Sequence, residues 1–560
     1  MDPIILVLCG LVVLFAGIIL LMTRDEKKLR RRLRKEFGKP PAQRRGLAEA
    51  AKYYEALRVV RPDEDEVDAL TWIDLDMDDV YGRLNGCQSA LGDVRLYQVL
   101  RRPAKNPAQD ATLAAREEMM NTFAKNVPLR EKAQYRIARM GRADGAGLEN
   151  MVFTPSFMAL PGQGMHYVLA VLPFAAIPMF FANTTAAILW LIGTLLTNIM
   201  MSSIVKNRNE LYFRAVRYLS TALSCAFRLQ DILAKPLPDA AARVKENSRR
   251  FWFLRPWILI LALDEMMEKS LGMSPLSLFQ LPLVCYGRIA AYMAKNSESV
   301  EGLFNALGEV DLALGLLSYR ISLPLWAAPQ YTQEAELDFA RMWHPLLDDP
   351  VPNDGHFEGD VLLTGSNASG KSTFIKAVAL NILMAQTINT CTASSIRLKS
   401  GMVATSMAVA DSVVDGDSYF VAEIKSMRRL VQLAAREDEA GEARFAWFFI
   451  DEILKGTNTV ERIAASAAVL EALHDGECMC FAATHDIELT RILEKRFYNF
   501  HFRETVGETG VFFDYQLRQG PSTTRNALLL LERMGFPREV TDTARAQVAA
   551  FEGGGEWPQL

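Results

Sequence analysis

The sequence predicts an α/β domain with a parallel sheet at the C-terminus, preceded by an all-α region carrying three transmembrane helices. Three observations carry this reading. Residues 3–22 and 167–205 are long apolar runs without a charged side chain. Around the second run, apolar residues recur at helical spacing. Beyond Pro324, short apolar strands alternate with helices, and one strand runs into a glycine-rich loop.

The first run holds 20 uncharged residues, the length that spans hydrocarbon. A secretory signal carries its positive charge ahead of the apolar run, whereas only Met1 and Asp2 precede this one. Residues 24–39 hold nine Lys/Arg against three acids. The positive-inside rule therefore predicts an uncleaved anchor at 1–22 and a cytoplasmic basic segment at 23–60. A basic run also suits nucleic acid, but its place against a span favours lipid headgroups. The expected location is the cytoplasmic (inner) membrane, multi-pass, with the N-terminus outside.

Residues 61–160 read as the first part of a helical core. The second apolar run is too long for one span and fits a hairpin over 161–206, turning at Asn183-Thr184-Thr185. Pro173 and Pro178 interrupt its first half, as membrane helices tolerate. Lys206, Arg208, Arg214 and Arg217 follow the second half, so both ends face the cytoplasm. The alternative is a buried helical pair. Residues 207–327 form the second helical part. Leu303, Leu307, Val310, Leu314, Leu317 and Ile321 place one apolar stripe on a helix, which is core packing. The basic cluster Arg243, Lys245, Arg249, Arg250 and Arg255 with its aromatics reads as a solvated helical edge. Pro324 and Pro329 mark the boundary to a domain over 328–552, and 553–560 is a Gly-rich flexible tail.

The chain has 560 residues, 50% hydrophobic and 23% charged, with a formal net charge of -4. This excludes disordered and collagen-like classes and suits several domains. A pI near 6.0 gives no global mark of nucleic-acid binding. The seven cysteines are scattered, so they form no disulfide framework, and Cys478 and Cys480 in an apolar run read as core thiols in a reducing compartment.

The strongest chemical signal is Gly365, Ser366, Asn367, Ala368, Ser369, Gly370, Lys371, Ser372, Thr373, a full GxxxxGK[ST] match. An apolar strand at 361–364 precedes it and an apolar helix at 374–383 follows, the context of a P-loop. Inward backbone N–H groups and the helix N-terminus attract phosphate. Lys371 is the candidate for the β/γ-phosphates, and Ser372 is a candidate Mg²⁺ ligand. Eighty residues on, an apolar strand ends in Asp451-Glu452. Asp451 is the second candidate metal ligand, and Glu452 is the candidate for polarising the attacking water. A third strand, 478–484, ends at His485, a candidate phosphate sensor. The expected chemistry is nucleoside triphosphate hydrolysis. With no NKxD guanine reader, ATP with Mg²⁺ is favoured.

These motifs resemble the ATPase domain of the MutS family. The loop GSNASGKST carries that family's Asn at Asn367. The stretch 415–423, with Ser418 and Phe420, is similar to its signature. Residues 451–459, DEILKGTNT, resemble its DEIGRGTST, and Ala483-Thr484-His485 its switch histidine. Residues 534–540 look like its closing helical segment, and 84–103 and 251–327 more weakly resemble its helical core and levers. No LSGGQ is present, which disfavours a transporter ATPase. No segment like the family's mismatch-reading domain precedes the core; an anchor stands there instead.

The resemblance implies a homodimeric P-loop NTPase of MutS/ABC-like fold, with Ser418 acting in trans on nucleotide held by the other subunit. Glu452, His485 and Ser418 would be catalytic, and the loop 365–373 would bind ATP. Turnover would rearrange the helical levers. Two functions follow: a membrane-anchored mismatch-repair-like ATPase that binds mismatched or branched DNA, or an ATP-driven scaffold or mechanochemical protein acting on a protein partner in the bilayer, without DNA.

Overall fold

The computed structural model describes residues 23–41, 45–63, 65–142, 147–154, 160, 162–366, 369–407, 419–436, 444–455, 457–507, 510–522, 528, 531–532 and 535–554. The anchor expected at 3–22 lies outside the described residues. The chain divides into two units. One takes Met1–Glu64, Tyr81–Arg101 and Ala111–Leu323, the other Asp65–Val80, Arg102–Asp110 and Pro324–Leu560.

Among its described residues the first unit is helical. Its longest member, Ser297–Ser322, carries the apolar stripe read from the sequence. Leu303, Leu307, Val310, Leu314 and Leu317 are buried, whereas Ile321, in the last turn, is 52% exposed. Small residues let a second helix, Ala90–Arg101, and the loop before it lie directly on this helix. A Cβ at Gly308 would stand 2.6 Å from the Leu91 carbonyl oxygen, and one at Gly315 would stand 3.0 Å from the Cys87 nitrogen. Between them, buried Asp311 accepts from the backbone N–H of Gln88 at 3.0 Å and of Ser89 at 2.8 Å, and from the Ser89 hydroxyl at 2.6 Å. Burial pushes its carboxyl up to about 6, against those hydrogen bonds. Two residues away, burial acts on Glu309 in the same sense. There Arg116 at 2.5 Å and Arg95 at 2.7 Å overcome it and hold the carboxyl at about 2.

Among the described residues, two helices are long and apolar enough to cross a membrane, Gln163–Ala182 and Thr184–Arg208. They coincide with the predicted hairpin, and Asn183 caps the second by accepting from Ala186 N–H at 3.0 Å. The first is broken by a 3₁₀ turn at Leu172–Ala175, which begins around Pro173. Pro173 cannot donate to the carbonyl of Leu169. The Asn198 amide of the second helix donates there instead, at 3.0 Å. The carbonyl of Leu172 takes the Trp190 indole N–H, also at 3.0 Å.

Among the described residues the second unit holds ten strands: β1 (Gln330–Thr332), β2 (Leu337–Met342), β3 (Asn353–Phe357), β4 (Val361–Thr364), β5 (Ser395–Lys399), β6 (Met402–Ser406), β7 (Ala446–Asp451), β8 (Cys478–Ala483), β9 (Tyr498–Gly507) and β10 (Gly510–Gln519). The main sheet runs β10-β9-β4-β8-β7-β6 and is parallel except for β10. The sequence reading anticipated this parallel sheet. It did not anticipate the second sheet, β1-β5-β2-β3, in which β2 is antiparallel to both of its neighbours.

Strand alternation builds two cores in the second unit. Phe448 and Ile450 face helices Tyr419–Ala434 and Thr459–His474. Phe449 points the other way and stacks on Phe481, with ring centroids 5.5 Å apart. All six described cysteines are free. Burial pushes the Cys478 thiol up to about 12, as expected of a core thiol.

Residues 65–80 join this unit through specific bonds. Asp65 pairs with Arg444 and Asp68 with Arg429. Asp74 accepts from the Thr405 hydroxyl at 2.6 Å and from Met407 N–H at 2.9 Å. The closing helix, Arg538–Gly554, enters the segment expected as a tail, so Gly553 and Gly554 are helical.

The close approach at Gly308 sets a stability prediction. Gly308→Val forces apart two helices in contact and should cost about 1–3 kcal/mol. A lowered melting temperature of the detergent-purified chain checks it.

Candidate nucleotide site

The parallel register brings three strand ends level. Leu363 of β4 pairs with Ala483 of β8, and Ala483 pairs with Asp451 of β7. Whatever follows each strand is thus delivered to one edge of the sheet, where α/β folds bind ligands. After β4 comes the glycine loop, after β7 Glu452, and after β8 His485.

The loop turns where side chains are excluded. Gly365 has φ 138°, and a Cβ there would stand 2.9 Å from the Phe502 carbonyl oxygen. Gly370, φ 101°, caps helix Lys371–Ile388, which starts before the 374 expected from the sequence. Ser369 donates its hydroxyl to the Ser366 carbonyl at 2.7 Å. Lys371 is buried and donates to the carbonyls of Gly365 and Ser366 at 2.7 and 2.8 Å. Burial lowers its pKa, and the nearby charges of Asp451, Glu452 and Glu504 oppose that shift. Ser372 is half-buried and Thr373 exposed. Asn367, Ala368 and Ser418 lie outside the described residues.

Glu452 sits at φ 59° and Leu454 at φ 54°, left-handed positions that non-glycine side chains rarely adopt. Glu452 N–H bonds the Ala483 carbonyl at 3.0 Å, which ties the turn to β8. Its carboxylate meets His485 Nε2 at 2.9 Å and pairs with Lys455. Burial alone would raise this carboxyl, but Lys455 and His485 together hold it below its ordinary 4.5. Asp451 Oδ1 is buried without a hydrogen-bond partner among the described residues. An orphaned carboxylate oxygen beside a buried ammonium fits a cation site, since a bare buried acceptor is costly. The residues present thus fit a nucleotide with Mg²⁺: Lys371 would meet the phosphates, and Ser372 and Asp451 would hold the metal.

Four further groups belong to this edge. Glu504 of β9 is buried and accepts the Ser366 hydroxyl. Lys455 pairs with Glu452. Tyr515, φ 53°, lies against Gly370, whose Cβ would stand 3.0 Å from its ring. Arg462 holds Asp486, next to His485, through bonds of 2.9 and 2.6 Å. Glu504 and Tyr515 carry no motif signal, because sheet pairing rather than local spacing brings them in. Lys455 falls within residues 451–459, but nothing in that segment's spacing marks it.

Residues 361–552 match the family model described as MutS domain V. The relatives agree. "DNA mismatch repair protein MutS" of Thermus thermophilus is 29% identical over 262 residues, 46% of this chain and 31% of that protein. The protein of the same name from Erythrobacter litoralis is 29% identical over 290 residues, 48% of this chain and 32% of that protein. "DNA mismatch repair protein MutS 2" of Halobacterium salinarum is 31% identical over 271 residues, 45% of this chain and 29% of that protein. The matched region thus spans about a third of these relatives' length. The matches support MutS family membership, carried by the C-terminal unit.

Lys371→Met removes the ammonium and keeps the stem. It should weaken binding of a fluorescent ATP analogue by about tenfold or more, a loss of about 1.4 kcal/mol per decade. Equilibrium titration measures it.

Proposed function

We propose that this chain is a membrane-anchored MutS-like ATPase. The observation that carries the reading is the convergence of Lys371, Asp451, Glu452 and His485 on the level ends of β4, β7 and β8. Lys371 binds the phosphates. Asp451 and Ser372 hold Mg²⁺, which neutralises phosphate charge. Glu452, kept ionised by Lys455 and steered by His485, takes the proton of the attacking water. Ser418 acts in trans in a homodimer, and turnover rearranges the helical unit. The hairpin and the N-terminal run hold the protein in the cytoplasmic membrane with the ATPase domain inside. Because the relatives are named for DNA mismatch repair, the proposed ligand is mismatched or branched DNA.

Glu452→Gln should bind ATP normally and lose about 10²–10⁴-fold in kcat. Unchanged turnover overturns the assignment. A depressed carboxyl pKa keeps Glu452 active down to low pH, so Lys455→Met should move the acid limb of the kcat profile to higher pH. An unmoved limb removes Lys455 from the site. Duplex or mismatched DNA should stimulate hydrolysis with a steep salt dependence. No binding at low salt turns the reading to a protein partner.

A further inference from the structure

A second charged site lies in the helical unit, away from the nucleotide residues in sequence. Arg136, Arg139, Arg217 and Arg228 line one cavity of about 210 Å³. The spacing explains the placement. Arg217, Ser220, Thr221, Ser224 and Arg228 follow helical steps along one face of Glu210–Leu233, so guanidiniums and hydroxyls share a stripe. Arg136 and Arg139 come from the C-terminal end of Val127–Ala138.

Few acids balance them. Glu265 lines the cavity, Glu268 stands 3.5 Å from Arg217, and Glu26 feels the charge of Arg136. Among the described residues, the guanidiniums of Arg136, Arg139 and Arg228 make no hydrogen bond and no ion pair. Burial and the charges of Arg228 and Arg139 lower the pKa of Arg136. Like charges crowded together destabilise the fold unless an anion offsets them.

The far wall is different. Ile258, Leu261 and Ala262 of helix Arg255–Leu271 line it with apolar surface beside Glu265 of the same helix. Leu259 and Leu263 on that helix are exposed, as is Trp252 just before it. Lys206, at the end of the hairpin's second helix, binds Asp264 of the same helix at 2.9 Å. A basic wall facing an apolar one, tied to the hairpin end, suits an amphiphile with a phosphate head.

We propose that this cavity binds the phosphate of an anionic phospholipid headgroup, with Arg136, Arg139, Arg217 and Arg228 as its ligands. The proposal rests on reading 163–208 as a membrane hairpin. Its shared chemistry is phosphate recognition, and the experiment separates the sources.

The full chain is purified in neutral detergent and titrated, by tryptophan fluorescence, with micelles doped with phosphatidylglycerol or phosphatidylcholine, with inorganic phosphate and with duplex DNA. Phosphatidylglycerol should bind saturably and phosphatidylcholine should not. Arg136→Gln/Arg228→Gln should weaken the phosphatidylglycerol response by roughly thirtyfold, from the contribution of each basic residue near an anionic surface. Arg243→Gln should leave it unchanged. If the double variant does not fold, Arg139→Gln, at an exposed position, replaces it with a smaller loss. Equal binding by parent and variant overturns the site. Inorganic phosphate binding as tightly as phosphatidylglycerol, or duplex DNA lost with the same variants, overturns the lipid. A chain that stays soluble without detergent overturns the hairpin reading, and it does so independently of every binding arm.

Discussion

The parallel pairing of β4, β8 and β7 is the constraint on which the C-terminal unit depends. Every chemically notable group there is short of reach by itself. Lys371 begins a helix, Glu452 sits on a strained turn, and His485 follows a strand by two residues. They meet because Leu363, Ala483 and Asp451 are level across three strands. A slip of one residue would invert each strand's faces, exchanging Phe448 and Ile450 with Phe449 between the two cores and taking Asp451 out of level with Ala483. The apolar demand of both sheet faces therefore fixes the register, and the register fixes the site.

The turn after β7 shows how the site is held open. Where the resembled motif has glycine, this chain has Leu454, yet the backbone stays left-handed at φ 54°. Such a conformation costs about 1–2 kcal/mol for an L-residue. Leu454 offsets that cost through its buried side chain, which packs with Phe448, Ile450 and Leu470. The core thus holds the turn that points Glu452 at His485 and Lys455. Strain at a site and burial behind it are two sides of one arrangement.

What could be read from the sequence was local. The glycine loop, the two strands ending at Asp451 and His485, the hairpin and the stripe on Ser297–Ser322 each declare themselves by spacing and polarity among near neighbours in the chain. What could not be read was made by distant pairing. Glu504 reaches Ser366 only because β9 lies beside β4. The second sheet joins β1 to β5 although β2, β3 and β4 lie between them in the chain. Residues 65–80 look like ordinary helix, yet Asp65, Asp68 and Asp74, bonding Arg444, Arg429 and Thr405, tie them to the C-terminal unit. Polar side chains that choose partners far along the chain leave no periodic trace.

The hairpin carries its own physical argument. A soluble helical pair broken by proline can leave its freed carbonyls to water. Here the carbonyls of Leu169 and Leu172 are taken by Asn198 and Trp190 of the opposite helix. Asn198 is fully buried, although the helices around it expose Phe181, Leu189 and Met200. Apolar groups outward and polar groups inward is the reverse of a soluble pair. It matches the arrangement that the proposed membrane setting would require, since in hydrocarbon every backbone group must find its partner within the protein. Lys206 then reaches Asp264 at the hairpin's end. On the proposed topology, the arginine-lined cavity falls on the cytoplasmic side, where the positive-inside rule places basic residues and where anionic headgroups gather.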